Sequence, residues 1–344
     1  MGITIKDIAR MANTSIATVS NVIGDKPGVG KAKKKQVLEI IKRTGYRPHR
    51  SARSLVLQKS AMLGFVVSDL SNAVYVNVFR GVESVFRKRG YQVFLADSEM
   101  DGAKERDNIE LMLDNRVEAL VIIPVHEFKL GDDVVHLIKL HQEGVPFVVM
   151  GRLENFEGDF VTSEETRSAA RMAQHLMGLG HTRIAFVGED PDNRAAVERY
   201  LGVKRAVESD SRAELVTVRC PANSSVRRWA STVDSVLRMP ERPTALIMVN
   251  DITAITAIQR CKAVGLGVPE DISVVGFGNL MTASVIEPAL TTFAENVPGI
   301  VNKIVEALTR KIADPQCESI QSLVPQKMLR RKSSAPPPRR IKIL

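Results

Sequence analysis

Polar residues that suit a polyhydroxylated ligand stand at regular places in this 344-residue sequence, just past apolar runs that read as strands. Asp69 follows Met62–Ser68, Arg152 follows Pro146–Met150, Asn250 and Asp251 follow Ala245–Val249, and Asn279 follows Ile272–Phe277. Carboxylates, amides and guanidinium groups pair with adjacent hydroxyls, and an aromatic ring such as that of Tyr75 covers the C–H face of a sugar. A second chemistry lies near the N-terminus. Lysines crowd into Gly30-Lys31-Ala32-Lys33-Lys34-Lys35, where a helix start also offers backbone N–H groups to a phosphate. The run from Tyr46 to Leu55 is too basic, and too poor in large apolar residues, for a core helix. Catalytic patterns are missing. A phosphate loop at Gly28-Val29-Gly30-Lys31 would need glycine at Asp25 and Ser or Thr at Ala32, and Gly276-Phe277-Gly278 lacks the third glycine of a dinucleotide fingerprint. Neither Gly-x-Ser-x-Gly nor His-Glu-x-x-His occurs, so no enzyme, metal site or cofactor is expected.

The elements that must position these residues are of two kinds, and charge separates them. Residues 1–59 carry 13 Lys/Arg against three acids, a net +10, while residues 327–344 carry seven and no acid. The stretch between is acidic by 8. A basic head on an acidic body points to nucleic acid as a partner of the head. Within the head, Thr4 can cap a helix with Ile5, Ile8, Ala9 and Ala12 on one face, and Ser15 can cap a second through Thr18, Val19 and Val22. Two short helices with a polar turn at Asn13-Thr14 make a helix-turn-helix, and a third helix is expected over 31–44 with Val37, Leu38 and Ile41 inward, stopped by Gly45. From Met62 onward, strand-like and amphipathic helical runs alternate and restart after Gly180-His181. That pattern predicts two doubly wound parallel sheets whose facing carboxyl ends form a ligand cleft. Three widely spaced cysteines suit a reducing compartment, and no apolar run reaches the roughly 18 residues that cross a bilayer. Lys6, Asp7 and Arg10 interrupt the place where a signal peptide needs its apolar core, so a cytoplasmic protein with no membrane partner is expected.

An ordered set of motifs closely resembles the lactose/galactose-repressor (LacI/GalR) family of bacterial regulators. It comprises Ile5-Lys6-Asp7-Ile8-Ala9, Thr18-Val19-Ser20-Asn21-Val22, Gly45-Tyr46-Arg47-Pro48, Ala52-Arg53-Ser54-Leu55, Gly180-His181-Thr182-Arg183-Ile184-Ala185, Arg242-Pro243-Thr244-Ala245, Val268-Pro269-Glu270-Asp271-Ile272-Ser273 through Phe277, and Pro288-Ala289-Leu290-Thr291-Thr292. The resemblance implies an all-α helix-turn-helix DNA-binding domain at 1–48, a hinge helix or linker at 49–60, and an α/β body of two doubly wound subdomains at 61–330, like periplasmic binding proteins in fold. One subdomain is expected from 61–161 and 292–322, the other from 162–291 and 323–330, with a disordered basic tail at 331–344. It also implies a homodimer on double-stranded, palindromic operator DNA, controlled by a small-molecule effector such as a sugar, a sugar acid or a related metabolite. In the second helix, Ile16 and Ala17 then meet thymine methyls and Asn21 pairs with adenine. Thr4, Ser15, Thr18, Ser20, Lys31, Lys33, Lys34 and Tyr46 complete the head's DNA contacts, and His49, Arg50, Ala52, Arg53 and Leu55 those of the hinge. The effector set is Asp69, Tyr75, Arg152, Arg199, Asn250 and Asn279. Two departures stand out: Gly30 replaces a small hydroxyl cap, and Gly278 replaces an acid.

Leu55 is the residue implied to wedge into a central base step of the minor groove, bending the duplex at a cost of a few kcal/mol. Leu55→Ala is expected to weaken binding to the operator far more than binding to random duplex. Equal losses on both DNAs, measured by fluorescence anisotropy, would remove Leu55 from that role.

Overall fold

The computed structural model describes residues 3–24, 27–46, 60–125, 134–153, 156–191, 193–221 and 224–341. They fall into two units, Met1–Ala61 and Met62–Leu344. The hinge residues His49, Arg50, Ala52, Arg53 and Leu55 lie outside the described residues.

In the first unit, α1 (Ile5–Met11) and α2 (Ile16–Ile23) start just after the expected caps Thr4 and Ser15, and α3 (Lys31–Thr44) spans the expected residues. Thr4 and Asp7 exchange hydrogen bonds in a capping box, and the Ser15 hydroxyl accepts from the Thr18 N–H at 3.1 Å. Gly45, with φ 65°, ends α3 in the left-handed region. The small core is Ile8, Ala9, Ala12, Val19, Val22, Val37 and Ile40. Leu38, expected inward, is 46% exposed: it stands about 100° around the helix from Val37, whereas Ile40 and Ile41 return to that face.

The second unit holds two six-stranded sheets. The first is built from β1 (Met62–Val67), β2 (Gln92–Asp97), β3 (Ala119–Ile122), β4 (Phe147–Met150), β5 (Phe160–Ser163) and β11 (Gln321–Val324), in the order β11-β5-β4-β3-β1-β2 and wholly parallel. The second has β6 (Arg183–Glu189), β7 (Glu214–Arg219), β8 (Ala245–Met248), β9 (Ser273–Gly278), β10 (Thr291–Ala294) and β12 (Lys327–Leu329), in the order β12-β10-β9-β8-β6-β7, with only β12 antiparallel. Central strands such as β1, β3 and β8 are nearly continuous buried apolar runs because helices cover both faces. Helices α4 (Ala73–Lys88), α5 (Gly102–Asp114), α6 (Val135–Gln142) and α12 (Val297–Ala313) serve the first sheet. Helices α7 (Glu165–Gly178), α8 (Arg194–Glu208), α9 (Val226–Leu237) and α10 (Asp251–Ala263), with the short α11 (Met281–Val285), serve the second.

The chain passes between the sheets within three residues of the expected points, just after Ser163, after Ala294 and after Val324, where β5, β10 and β11 end. One expectation about the body needs correction. The segment from 331 is no disordered tail as far as Ala335. Val274 N–H donates to Ser333 O at 2.8 Å, Ala335 N–H to Ser273 Oγ at 3.0 Å, and Thr291 N–H to Ser333 Oγ at 2.9 Å. His181 bridges Thr244 Oγ1 and Ala335 O, both at 2.8 Å. The Arg- and Pro-rich composition hid this. Small hydroxyls and main-chain groups, not apolar side chains, close that end of the second sheet.

Ser333 is fully buried; its hydroxyl donates to Val274 O and accepts from Thr291 N. Ser333→Ala strands both main-chain groups at about 1–3 kcal/mol each. Thermal unfolding of the body is expected several degrees lower in this variant; an unchanged Tm would show the tail contributes nothing.

Candidate functional site

A cleft of about 540 Å³ opens between the carboxyl ends of the two sheets. Asp69, Ser71, Asn72 and Tyr75, past β1, line one wall; Arg194, Glu198 and Arg199 of α8, with Asn250, Phe277 and Gly278 past β8 and in β9, line the other. Three asparagines start helices at its rim. Asn72, Asn193 and Asn250 accept from Val74, Ala196 and Thr253 N–H groups at 2.9–3.0 Å, so these positions follow from N-capping.

Arg199 is held rigidly. Its Nε and one terminal nitrogen donate to the two oxygens of Glu165 at 2.7 and 3.0 Å, the other terminal nitrogen donates to Val249 O at 2.7 Å, and Phe277 lies 4.8 Å beneath the guanidinium. This bidentate meeting needs α7 and α8 to pack closely. Gly202, one turn beyond Arg199, permits it: a Cβ there would stand 2.1 Å from the Thr166 carbonyl oxygen. Burial opposes the charge on Arg199, but the Glu165 carboxylate, with Glu295 and Asp251 behind it, outweighs burial and keeps the guanidinium protonated.

The cleft floor joins all three chain passages. Ser163 Oγ donates to Glu295 Oε2 in a very short hydrogen bond, and Gln326 Nε2 donates to Glu295 Oε1 at 2.6 Å and to Glu165 Oε1 at 3.2 Å. Ser163, Glu295 and Gln326 belong respectively to the first, second and third passage. Burial, then the neighbouring Glu165 charge, pushes the Glu295 carboxyl up to about 7. Asp251 is also buried and pushed up by burial, and it accepts from Thr292 Oγ1 at 2.6 Å and Leu280 N at 2.8 Å, bracing the loop after β9.

Of the expected effector residues, the structure brings Asp69, Tyr75, Arg199 and Asn250 into the cleft lining. Asp69 folds over Ser71, accepting from its N–H and its hydroxyl at 2.7 Å each. Arg152 and Asn279 are not among the lining residues. Arg152 is exposed with its guanidinium 5.7 Å over Phe160. Asn279 turns to accept from Arg331 at 2.7 Å, a partner supplied by the tail that sequence reading left disordered. Sequence reading missed Glu165, Glu295, Ser163, Gln326 and Arg194. The first three stand at or just past the ends of β5 and β10, whose runs Phe-Val-Thr-Ser and Thr-Thr-Phe-Ala mix hydroxyl with apolar residues and so do not stand out as buried strands.

In the head, α2 shows Ile16, Ala17, Ser20 and Asn21 on one face, opposite buried Val19 and Val22, with Ile16 45% exposed. Thr4, Ser15 and Thr18 serve as caps or cap partners, and Tyr46 packs against the core. Lys31 and Lys34 share one face of α3 with Lys35 and Lys42. The Lys33 ammonium donates to Ala12 O at 3.2 Å and Gln36 Oε1 at 3.0 Å, tying α3 to the end of α1. Gly30 gives α3 no side-chain cap.

The profile of bacterial regulatory proteins of the lacI family matches residues 4–49, and that of the periplasmic binding protein-like domain matches 173–334. The HTH-type transcriptional repressor PurR of Aliivibrio fischeri (strain MJ11) is 30% identical over 318 residues, covering 92% of this chain and 93% of its own. The chain belongs to the LacI family. Catabolite control protein A of Priestia megaterium is 29% identical over 339 residues, covering 97% of this chain and all of its own. A lac repressor dimer bound to operator and the anti-inducer ONPF has the same fold, with a TM-score of 0.85 over 97% of this chain and 100% of that one at 21% identity. This LacI-family transcriptional repressor therefore couples a helix-turn-helix head to an effector-binding body, and the relatives are regulators rather than enzymes. Among the described residues, no helix is long and apolar enough to cross a membrane.

Because the folded-state pKa of Glu295 is raised, the native protein holds a proton there that the unfolded chain releases above its ordinary carboxylate value. The contribution of Glu295 is thus fully present below about pH 4.5 and is lost as pH rises through about 7. Calorimetry at pH 5 and pH 8 is expected to show a smaller fall in Tm for Glu295→Gln than for the parent. An identical fall would mean another group titrates.

Proposed function

We propose that this repressor binds a palindromic operator as a homodimer in the cytoplasm and controls genes of carbohydrate metabolism, with a small polyhydroxylated metabolite in the cleft as its effector. The observation that carries the reading is the cleft itself. Carboxylates at Asp69 and Glu198, the amide of Asn250 and the rings of Tyr75 and Phe277 converge there, at the carboxyl ends of parallel sheets where small ligands bind. Relatives in fold support it: one LacI-family structure holds ribose and another regulator holds cellobiose. A purine effector is the second reading, favoured by the PurR relatives.

On the head, the uncovered Ile16 and Ala17 beside Asn21 give α2 an apolar patch next to an amide, suited to thymine methyls and an adenine edge. The effector acts through its differential affinity for two arrangements of the body, one compatible with operator binding and one not. Repression is expected to be set by that difference, with the 49–60 segment as the link to the head.

The test is selection of random duplexes by the purified protein at about 150 mM salt, where non-specific phosphate contacts are weakened. Enrichment of a palindrome, followed by its release or tightening with a sugar but not with purines, is the expected result. Enrichment that responds only to purines overturns the carbohydrate reading; failure to enrich any palindrome, with or without metabolite extract, overturns the operator reading.

A further inference from the structure

The charged residues lining the cleft are five acids, Asp69, Glu165, Glu198, Asp251 and Glu295, and two arginines, Arg194 and Arg199. Both arginines are committed inside the wall. Arg199 has each of its three nitrogens engaged, two on Glu165 and one on Val249 O, with both partners of the ion pair about nine-tenths buried. Arg194 Nε donates to Glu198 Oε1 at 2.8 Å, and a terminal nitrogen donates to the Arg152 carbonyl. A carboxylate or phosphate entering the cleft would find each of these guanidinium groups already neutralised.

Glu165 cannot yield Arg199 cheaply. Turned away, it would be an uncompensated buried charge, a strongly destabilising state. Glu295 stands on the same floor, and Gln326 Nε2 tethers the Glu165 Oε1 that Arg199 also holds. A neutral ligand makes no such demand, because hydroxyl and amide groups can hydrogen-bond to the carboxylates and to the remaining N–H donors without separating the pair.

We infer that Glu165 is a specificity-determining residue: by neutralising Arg199 in place, it makes the cleft accept uncharged hydroxyl- or amide-bearing ligands and reject those carrying a carboxylate or phosphate. The inference rests on the cleft being the effector site. It narrows the effector class from sugars and sugar acids together to the uncharged members.

Trp229, the one tryptophan of the sequence, reports on the body alone. It is buried in α9, and both its ring and Val249 border Gly188, next to the carbonyl that Arg199 holds. Its fluorescence is therefore indifferent to anions that collect on the basic head. The full-length protein is titrated with matched sets: glucose, gluconate and glucose 6-phosphate; ribose, ribonate and ribose 5-phosphate; galactose and galactonate. The parent chain is expected to respond only to uncharged members. Glu165→Gln, which keeps the shape but unmasks Arg199, is expected to gain a response to at least one acid, at least tenfold tighter than in the parent. Adding Arg199→Met to that variant is expected to abolish the gain.

An acid or phosphate that binds the parent as tightly as its neutral counterpart overturns the inference, and this comparison needs no variant to fold. So does a folded Glu165→Gln protein that responds to no acid. In either case operator control by a cleft ligand can persist, so the functional reading fails separately, only if no ligand that moves Trp229 alters operator binding.

Discussion

Three passages of the chain run between the two sheets, and each brings a polar side chain to the same buried point. Ser163 and Gln326 both donate to Glu295 there, with Glu165 and Arg199 alongside. Isolated charges cannot be left in such a place, because the hydration lost on burial must be replaced by an opposite charge or by hydrogen bonds. Glu295 and Glu165 are accordingly each held by neighbouring donors. The three passages are thereby joined at one buried polar cluster beneath the cleft.

The cleft inherits its chemistry from that constraint. Arg199 reaches Glu165 only because Gly202 lets α8 lie against the Thr166 carbonyl. A residue with no side chain, remote from any ligand contact, thus sets the charge available to a ligand. Asp251 shows the same economy in the second sheet: its carboxylate braces the loop after β9 through Thr292 and Leu280 while forming part of the cleft wall. The acid missing at position 278 leaves a glycine with φ 123°, a backbone angle that side chains disfavour, beside this carboxylate. The second sheet is closed at its other end by the hydroxyls of Ser333 and Ser334 and the ring of His181, so that a basic, proline-rich terminus becomes part of the fold.

Much was legible in the sequence wherever local rules decide. The caps Thr4 and Ser15, the αL stop at Gly45, the alternation of buried strands with amphipathic helices and the partition of charge each depend on neighbours within one or two turns, and the structure follows them. Asp69 and Asn250, expected at strand ends by the same logic, do line the cleft, because the carboxyl ends of parallel strands face it, whereas Arg152 and Asn279, placed by the same rule, do not. Two strands were not legible. β5 (Phe-Val-Thr-Ser) and β10 (Thr-Thr-Phe-Ala) mix hydroxyl residues with apolar ones and lack the continuous apolar run that marks the equally short β4 and β8, and with them went Glu165 and Glu295. Nor could spacing in sequence show that Arg199 and Glu165, 34 residues apart, meet in a bidentate pair, or that Asn279 serves Arg331 rather than a ligand. Which of the strongly patterned elements exist is a question of local propensity and pattern, and the sequence alone answered it. Which charges are spent and which remain depends on distances between elements, set by packing, and only the tertiary structure decided that.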